Sequence, residues 1–454
     1  MLVRFNVENF FSFKDEVQIN MIPAKSRLMK DHVIDSPEGK AIEVIPILTI
    51  YGANASGKSN LVKALTFMRR LVIRGVGPDR VTGAIPFLLD PVAETKPTRF
   101  EIVVKIDAVV YTYGFVLTST RILEEWLFAY FTNQESKIFE RITSQEGKAS
   151  VDPGRRLTAD VKKPDFISFI AKGTRENQLF LNEAYGRDVD IVKPLVKWFR
   201  ESLQIIGPNS QYSALSMRAH RDKEFISFLS KFLDIAGTGI SEITCEREPI
   251  DKSKKFLALP DEIKHRIKED VTKRSAQKIT VQSLGTPVTI LKESDGGEKD
   301  AVILHLKANH LKSDGTFAAF DPEVESDGTR RLMDLAPLLS DIWDNHQVFI
   351  IDELDRSLHT HLSRLFIETC VAAARKKKSF TQFIITTHDT NLLDRELLRK
   401  DEIAFMEKDR NGSSHLTSLS DFEVSDGLNF ENGYLHGRFG AIPFIGDKSR
   451  LFSE

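Results

Sequence analysis

The sequence has little cysteine, no long apolar run and almost no net charge. Two cysteines in 454 residues, Cys245 and Cys370, exclude a disulfide framework and a cysteine-built zinc site, and they fit a reducing compartment. No stretch approaches the ~18 uncharged apolar residues of a membrane-spanning helix. Arg4, Asn6, Glu8 and Asn9 interrupt the apolar start, so a signal peptide is not expected either. A cytoplasmic protein with no membrane partner is the expectation. Lys+Arg number 63 against 65 Asp+Glu, a formal net charge of −2, which excludes a uniformly basic nucleic-acid coat and leaves only local patches. Tryptophan and tyrosine are scarce, 3 and 7, beside 31 phenylalanines, which points to apolar packing rather than base-stacking aromatics. There is no internal repeat, and no heptad pattern lasts three heptads, so no long coiled coil is expected.

What is present is an ordinary globular composition, 41% hydrophobic and 28% charged, with length for roughly three units of ~150 residues. Residues 1–22 alternate as two strands, and 23–43 read as a loop. Residues 44–51 form a buried strand running into a glycine-bearing loop, and 61–72 have helical spacing. Residues 100–117 read as a hairpin turning near Asp107. Helical spacing returns at 190–206 and at 225–233, the latter stopped by Gly237 and Gly239. Residues 279–306 alternate again. After 320 the pattern is βα: helix 332–343, strand 348–351, helix 362–375, strand 383–387, short helix 392–398 and strand 402–407.

Two motifs carry chemistry. Gly52-Ala53-Asn54-Ala55-Ser56-Gly57-Lys58-Ser59 fits G-x-x-x-x-G-K-[ST] between a strand and a helix. Gly52 and Gly57 permit the close backbone approach by which amides and a helix N-terminus converge on an anion. Lys58 is expected to reach the β- and γ-phosphates and the Ser59 hydroxyl to ligate Mg²⁺. Gly52, Asn54, Ala55, Ser56, Gly57, Lys58, Ser59 and Asn60 are the expected nucleotide contacts, with ATP and Mg²⁺ as ligands. The strand 348–351 then ends in Asp352-Glu353, two acids at the carboxyl edge of a parallel sheet, where phosphates sit. Asp352 is placed to hold Mg²⁺ and Glu353 to deprotonate the attacking water.

With those motifs in place, the chain resembles the ABC-type ATPases of the SMC, Rad50 and RecF superfamily. Asn9-Phe10-Phe11-Ser12-Phe13 resembles its N-terminal segment, and Glu325-Ser326-Asp327-Gly328-Thr329 stands where its signature loop falls. Leu354 to His359 resembles the D-loop, and Thr386-Thr387-His388-Asp389 the switch-histidine motif. More narrowly the chain is similar to the AAA_15/AAA_21 (RloA-like) group, which includes ATPase subunits of anti-phage systems such as PARIS and Septu. Tyr51 to Ser59, Ile85 to Asp90 and Gly437 to Pro443 are the nearest echoes. The resemblance implies an α/β, ABC-type P-loop NTPase head split by a mostly helical insertion. The boundaries expected are 1–120 for the N-terminal lobe, 121–300 for the insertion, 301–410 for the C-terminal lobe and 411–454 for a closing segment. It also implies a head-to-tail homodimer or larger homo-oligomer around ATP. Ser326 and Gly328 of one chain would complete the other's site, and His388 would contact the γ-phosphate. Three departures stand out. Phe11 replaces a common arginine. Asp327 and Thr329 alter the signature, so Ser326 and Gly328, not Asp327, are expected to face nucleotide. No glutamine is placed as the Q-loop residue, Gln134 and Gln178 being candidates by order only.

The function this implies is the sensor or scaffold ATPase of an anti-phage system, controlling a separately encoded effector, a nuclease or toxin, on a DNA or phage-protein trigger. The alternative is a RecF-like repair or recombination ATPase. A fused Toprim nuclease is disfavoured, because the chain after Asp394 is too short and Asp421, Glu423 and Asp426 read as a solvated loop. The basic clusters Arg69-Arg70 with Arg74, 252–268 and 375–378 are either nucleic-acid contacts or solvated faces. The closing residues 434–445 either dock on a partner or pack on their own head.

Overall fold

The computed structural model describes all residues except 27, 37, 39–40, 162–163, 213–214, 274–277, 284–285, 293–300, 343–345, 376–379, 425–426 and 443–454. The chain divides into two units: residues 1–208, 342–355 and 363–454 form the first, and residues 209–341 with 356–362 the second.

The first unit is built on a six-stranded sheet in the order Leu203–Ile206, Val348–Ile351, Gln382–Thr386, Ile47–Tyr51, Ile403–Lys408, Ser414–Ser418. The first five are mutually parallel and the last pairs antiparallel. Ile47–Tyr51, Val348–Ile351 and Gln382–Thr386 are buried at every residue, as strands covered on both faces must be, and this is why they read as unbroken apolar runs. Lys58–Arg74 follows Ile47–Tyr51 and buries Leu61, Ala64, Leu65, Met68, Leu71 and Val72, the i, i+3, i+4 stripe of a helix with one face inward.

A seven-stranded antiparallel sheet belongs to the same unit. Its order is Ala149–Pro153, Glu135–Thr143, Ile122–Tyr130, Val109–Leu117, Thr98–Ile106, Leu2–Glu8, Val17–Asn20. Phenylalanines hold it to the helix: Phe67 stacks on Phe100 at 5.3 Å, and Phe10 lies 5.2 Å from Phe67 and 5.1 Å from Phe100. The surplus of phenylalanine is therefore spent in part on a core. Fully buried Glu125 takes the amides of Phe180 and Leu181 at 2.6 and 3.0 Å, capping the helix Phe180–Gly186. Arg141 lies 3.5 Å from the same carboxylate.

The second unit carries a five-stranded antiparallel sheet, Ile240–Pro249, Ala301–Leu311, Thr286–Lys292 and Lys278–Ser283 in order, with Phe317–Phe320 pairing Ala301–Leu311. The helices Leu215–Arg221, Lys223–Ile235, Asp261–Lys273 and Asp327–Ser340 accompany it. Arg218 forks onto the Asp341 carboxylate, 2.8 Å at one of its two contacts.

The structure differs from the sequence reading at several places. Residues 121–300, expected as one mostly helical insertion, are divided between the units. The part up to Pro208 supplies three strands of the antiparallel sheet and the edge strand Leu203–Ile206. The helical spacing at 190–206 breaks into Lys193–Lys197, a π-turn Trp198–Ser202 and that strand. Residues 23–43 hold a two-stranded ribbon, Ile34–Ser36 with Ile42–Val44. The expected helix 392–398 is a single 3₁₀ turn, Thr390–Leu392, with turns after it.

Candidate active site

The loop after Ile47–Tyr51 is shaped for an anion. Ala55 (φ 63°) and Gly57 (φ 118°) take positive φ, a cheap conformation for glycine only. A Cβ on Gly52 would stand 2.2 Å from the Met406 carbonyl oxygen, and one on Gly57 2.4 Å from Ser414 Oγ, so neither position has room for a side chain. Gly57 precedes Lys58–Arg74 with no side-chain cap, leaving the first helical amides to another acceptor. The buried Ser56 Oγ is also unpartnered. Asn54 and Ala55 are exposed, while Ser59 and Asn60 are half-buried.

Lys58 is almost fully buried and donates to the carbonyls of Gly52 and Ala53 at 2.6 and 3.1 Å. Burial lowers its pKa to about 8, against the opposing pull of Asp352, Asp355 and Glu353. These three acids lie at the carboxyl end of Val348–Ile351, one strand away from Gln382–Thr386. Thr386 fixes two of the key groups. Its hydroxyl donates to Asp352 Oδ1 at 2.6 Å and accepts the Glu353 amide at 2.8 Å. Glu353 is held at φ 53°, a costly conformation for a non-glycine that a functional position can impose. The His388 amide donates to Asp355 at 3.2 Å, and the exposed His388 ring has its pKa lowered by partial desolvation and by Lys58, against Asp355, Glu353 and Asp352.

The structure thus brings Lys58, Asp352, Glu353 and His388 into one electrostatic neighbourhood beside the loop. Ser326 and Gly328 belong to the second unit. There Ser326 Oγ caps Asp327–Ser340 by accepting the Thr329 amide at 3.1 Å. The exposed Asp327 pairs with Arg330. A Cβ on Gly328 would meet the Ser357 carbonyl at 2.6 Å, so packing alone already demands glycine. Gln134 sits exposed in a hairpin turn, and Gln178 pairs with Glu183. Of the basic clusters, Arg69 donates to Phe199 and Arg200 carbonyls, Arg70 to that of Thr82, and Arg375 pairs with Asp31. Residues 376–378, Asp426 and residues 443–445 lie outside the described residues.

Sequence reading missed the roles of Thr386, Ser414 and Ala441. Ala441 accepts the Ala53 amide at 2.9 Å and the Tyr434 hydroxyl at 3.0 Å, so the closing segment touches the loop itself. No sequence motif announces a backbone contact of this kind.

Residues 47–394 match the model of a family described as "AAA domain, putative AbiEii toxin, Type IV TA system". The chain belongs to the AAA_21 family. It is an ATPase domain of that type, with the α/β class and P-loop head expected. No curated protein matches it. Solved structures of SMC heads are among those it is similar to. One is an SMC head domain from Thermotoga maritima, 11% identical, covering 93% of this chain and 99% of that one with a TM-score of 0.36. Another is an SMC head bound to the C-winged helix domain of ScpA, 14% identical, covering 92% and 97% with a TM-score of 0.38. Among the described residues no helix is long and apolar enough to cross a membrane.

The site fits a nucleoside triphosphate: uncapped amides, a glycine cradle and an ammonium now satisfied by its own loop. Among the described residues no group of three or more His, Cys, Asp or Glu could hold a metal unaided. A Mg²⁺ bound by one hydroxyl, Ser59, one carboxylate, Asp352, and phosphate oxygens needs no such group. A pH dependence follows from Lys58. The expected contact with phosphate uses the Lys58 ammonium, and with a pKa of about 8 in the free protein that form is lost as pH rises. ATP affinity is expected to fall about tenfold per unit above pH 8, while Lys58→Arg flattens the profile. A titration of affinity from pH 7 to 9.5 at fixed ionic strength checks this; a flat wild-type profile contradicts it.

Proposed function

We propose that the protein binds and hydrolyses ATP, and that two heads associate around the nucleotide as the sensor or scaffold of an anti-phage defence system controlling a separate effector. The observation that carries the catalytic part is the convergence of Lys58, Asp352 and Glu353 on an anion-shaped loop. Lys58 would exchange its two loop carbonyls for phosphate oxygens and neutralise their charge. Glu353, its amide tied to Thr386, would take a proton from the attacking water. Asp352 and Ser59 would hold Mg²⁺, which supplies charge neutralisation between phosphates. His388, within electrostatic reach of Lys58 and Glu353, would report the γ-phosphate.

The association part is supported by the separation of duties between the units. Lys58 and the acids lie in the first, and the signature-like Ser326 in the second, where its hydroxyl caps a helix. The defence setting is supported by the toxin–antitoxin description of the family. A cytoplasmic location accompanies this reading. The test is the mass in solution of a hydrolysis-defective variant, Glu353→Gln, with ATP and with ADP. A doubled mass with ATP alone is expected; an unchanged mass with both would remove the association from the proposal.

A further inference from the structure

We infer that Ser12 and Ser414 are positioning residues for the phosphate-binding loop, coupled through one buried hydrogen-bonded cluster that holds residues 56–60 in their anion-ready shape. The inference rests on the ATP reading above and deepens it.

Asn60 Nδ2 donates to Ser12 Oγ at 2.9 Å. The Ser414 hydroxyl has two acceptors within reach, the Ser56 carbonyl at 2.6 Å and Ser12 Oγ at 2.9 Å. The Ser414 amide donates to the Ser12 carbonyl at 2.7 Å, so the two serines are locked together by backbone as well as side chain. Ser12, Ser56 and Ser414 are 8%, 4% and 1% exposed, and water does not substitute readily for such contacts. Gly57 presses on both: a Cβ there would stand 2.7 Å from Ser414 Cβ and 3.1 Å from Ser12 Oγ.

The two serines come from distant sequence. Ser12 lies between Leu2–Glu8 and Val17–Asn20, and Ser414 begins the strand Ser414–Ser418. Neither falls within the family match of residues 47–394. Between their anchor points lie Gly57, Lys58 and Ser59, the groups assigned to phosphate and metal. Holding Ser56 from one side and Asn60 from the other fixes the direction of the intervening amides before ligand arrives. A loop without those anchors must be ordered by the ligand, and affinity falls by that ordering cost. The serines reach the loop through the Ser56 carbonyl and the Asn60 side chain and not through Lys58, Asp352 or Glu353, so the effect is expected in KM and not in kcat.

The test measures affinity for a ribose-labelled fluorescent ATP analogue, steady-state hydrolysis and melting temperature. The proteins are wild type, Lys58→Ala, Ser12→Ala, Ser414→Ala and the double serine variant. Each serine variant should bind about tenfold more weakly and show a matching rise in KM, with kcat within about twofold and the ligand-free melting temperature lowered by only a few degrees. The double variant should lose less than the product of the two single losses, because either substitution already breaks the Ser12–Ser414 link that the two anchors share. Serine variants that bind like wild type, that lose kcat rather than KM, or whose effects simply add would each overturn the inference. Wild type that fails to bind the analogue would instead overturn the ATP reading beneath it.

Discussion

Lys58→Ala is expected to weaken ATP binding by at least about 10²-fold and to leave the free protein folded. The expected affinity loss is that of a buried, charge-assisted contact to phosphate, on the order of 3 kcal/mol, with about 1.4 kcal/mol per tenfold change. The folded state should tolerate the change. Burial that lowers the Lys58 pKa to about 8 means that the charged form is disfavoured in the ligand-free protein. The sign is that of a lysine with a depressed folded pKa: its charge opposes folding below pH 8, and that opposition is relieved between about 8 and the ordinary lysine value. Removing the ammonium therefore relieves a desolvation cost while leaving the Gly52 and Ala53 carbonyls without their donor, two effects of opposite sign. Melting temperature with and without ATP is the measurement. Wild type should gain stability with ATP, whereas Lys58→Ala should start at a similar temperature and gain none. A variant that still gained the wild-type shift would place the phosphates elsewhere.

Glu353→Gln is expected to slow hydrolysis by about 10² to 10³-fold with ATP affinity retained. The amide is isosteric, and the Thr386 bond to residue 353 is made by the backbone, so the strained φ and the neighbouring Asp352–Thr386 contact survive. What disappears is the basic oxygen. Binding and chemistry should therefore separate: an ATP affinity near wild type, and phosphate release close to background. Hydrolysis at the wild-type rate would show that another group is the base, and His388, in the same electrostatic field, would become the first candidate.

The parts of the candidate site were legible in the sequence because they are local. A buried strand must be apolar, so Ile47–Tyr51 and Val348–Ile351 announce themselves, and the residues that follow each are delivered to one edge. The glycines at 52 and 57 are demanded by contacts with Met406 and Ser414, but they are visible without those partners because the loop pattern is compact. The support around the site was not readable. Ser12 and Ser414 act through hydrogen bonds to residues 48 and 358 positions away, Ala441 through its carbonyl, and a lone serine or alanine gives no signal of its own. Leu203–Ile206 was misjudged for a related reason. Four residues are too few to distinguish a period of 2 from 3.6, and only pairing with Val348–Ile351 makes them a strand. The middle of the chain misled for want of pattern. Ile122–Tyr130 and Glu135–Thr143 are strands of a sheet with one exposed face, and their mixed polar and apolar residues resemble surface helix as much as strand.

The closing segment is a similar case. Its glycines and aromatics carry no period, yet Phe405 stacks on both Tyr434 and Phe439 at 5.3 Å. The Tyr434 hydroxyl and the Ala53 amide meet at the Ala441 carbonyl. As far as Ala441 the segment packs on its own head.

The most direct measurement is phosphate release from Mg-ATP by purified wild-type protein beside Lys58→Ala and Glu353→Gln, with ATP affinity measured on the same samples. Turnover by wild type alone, with binding lost in Lys58→Ala and kept in Glu353→Gln, is the expected result. Turnover that survives in both variants, or ATP binding absent from wild type, would contradict the assignment of this loop and these acids.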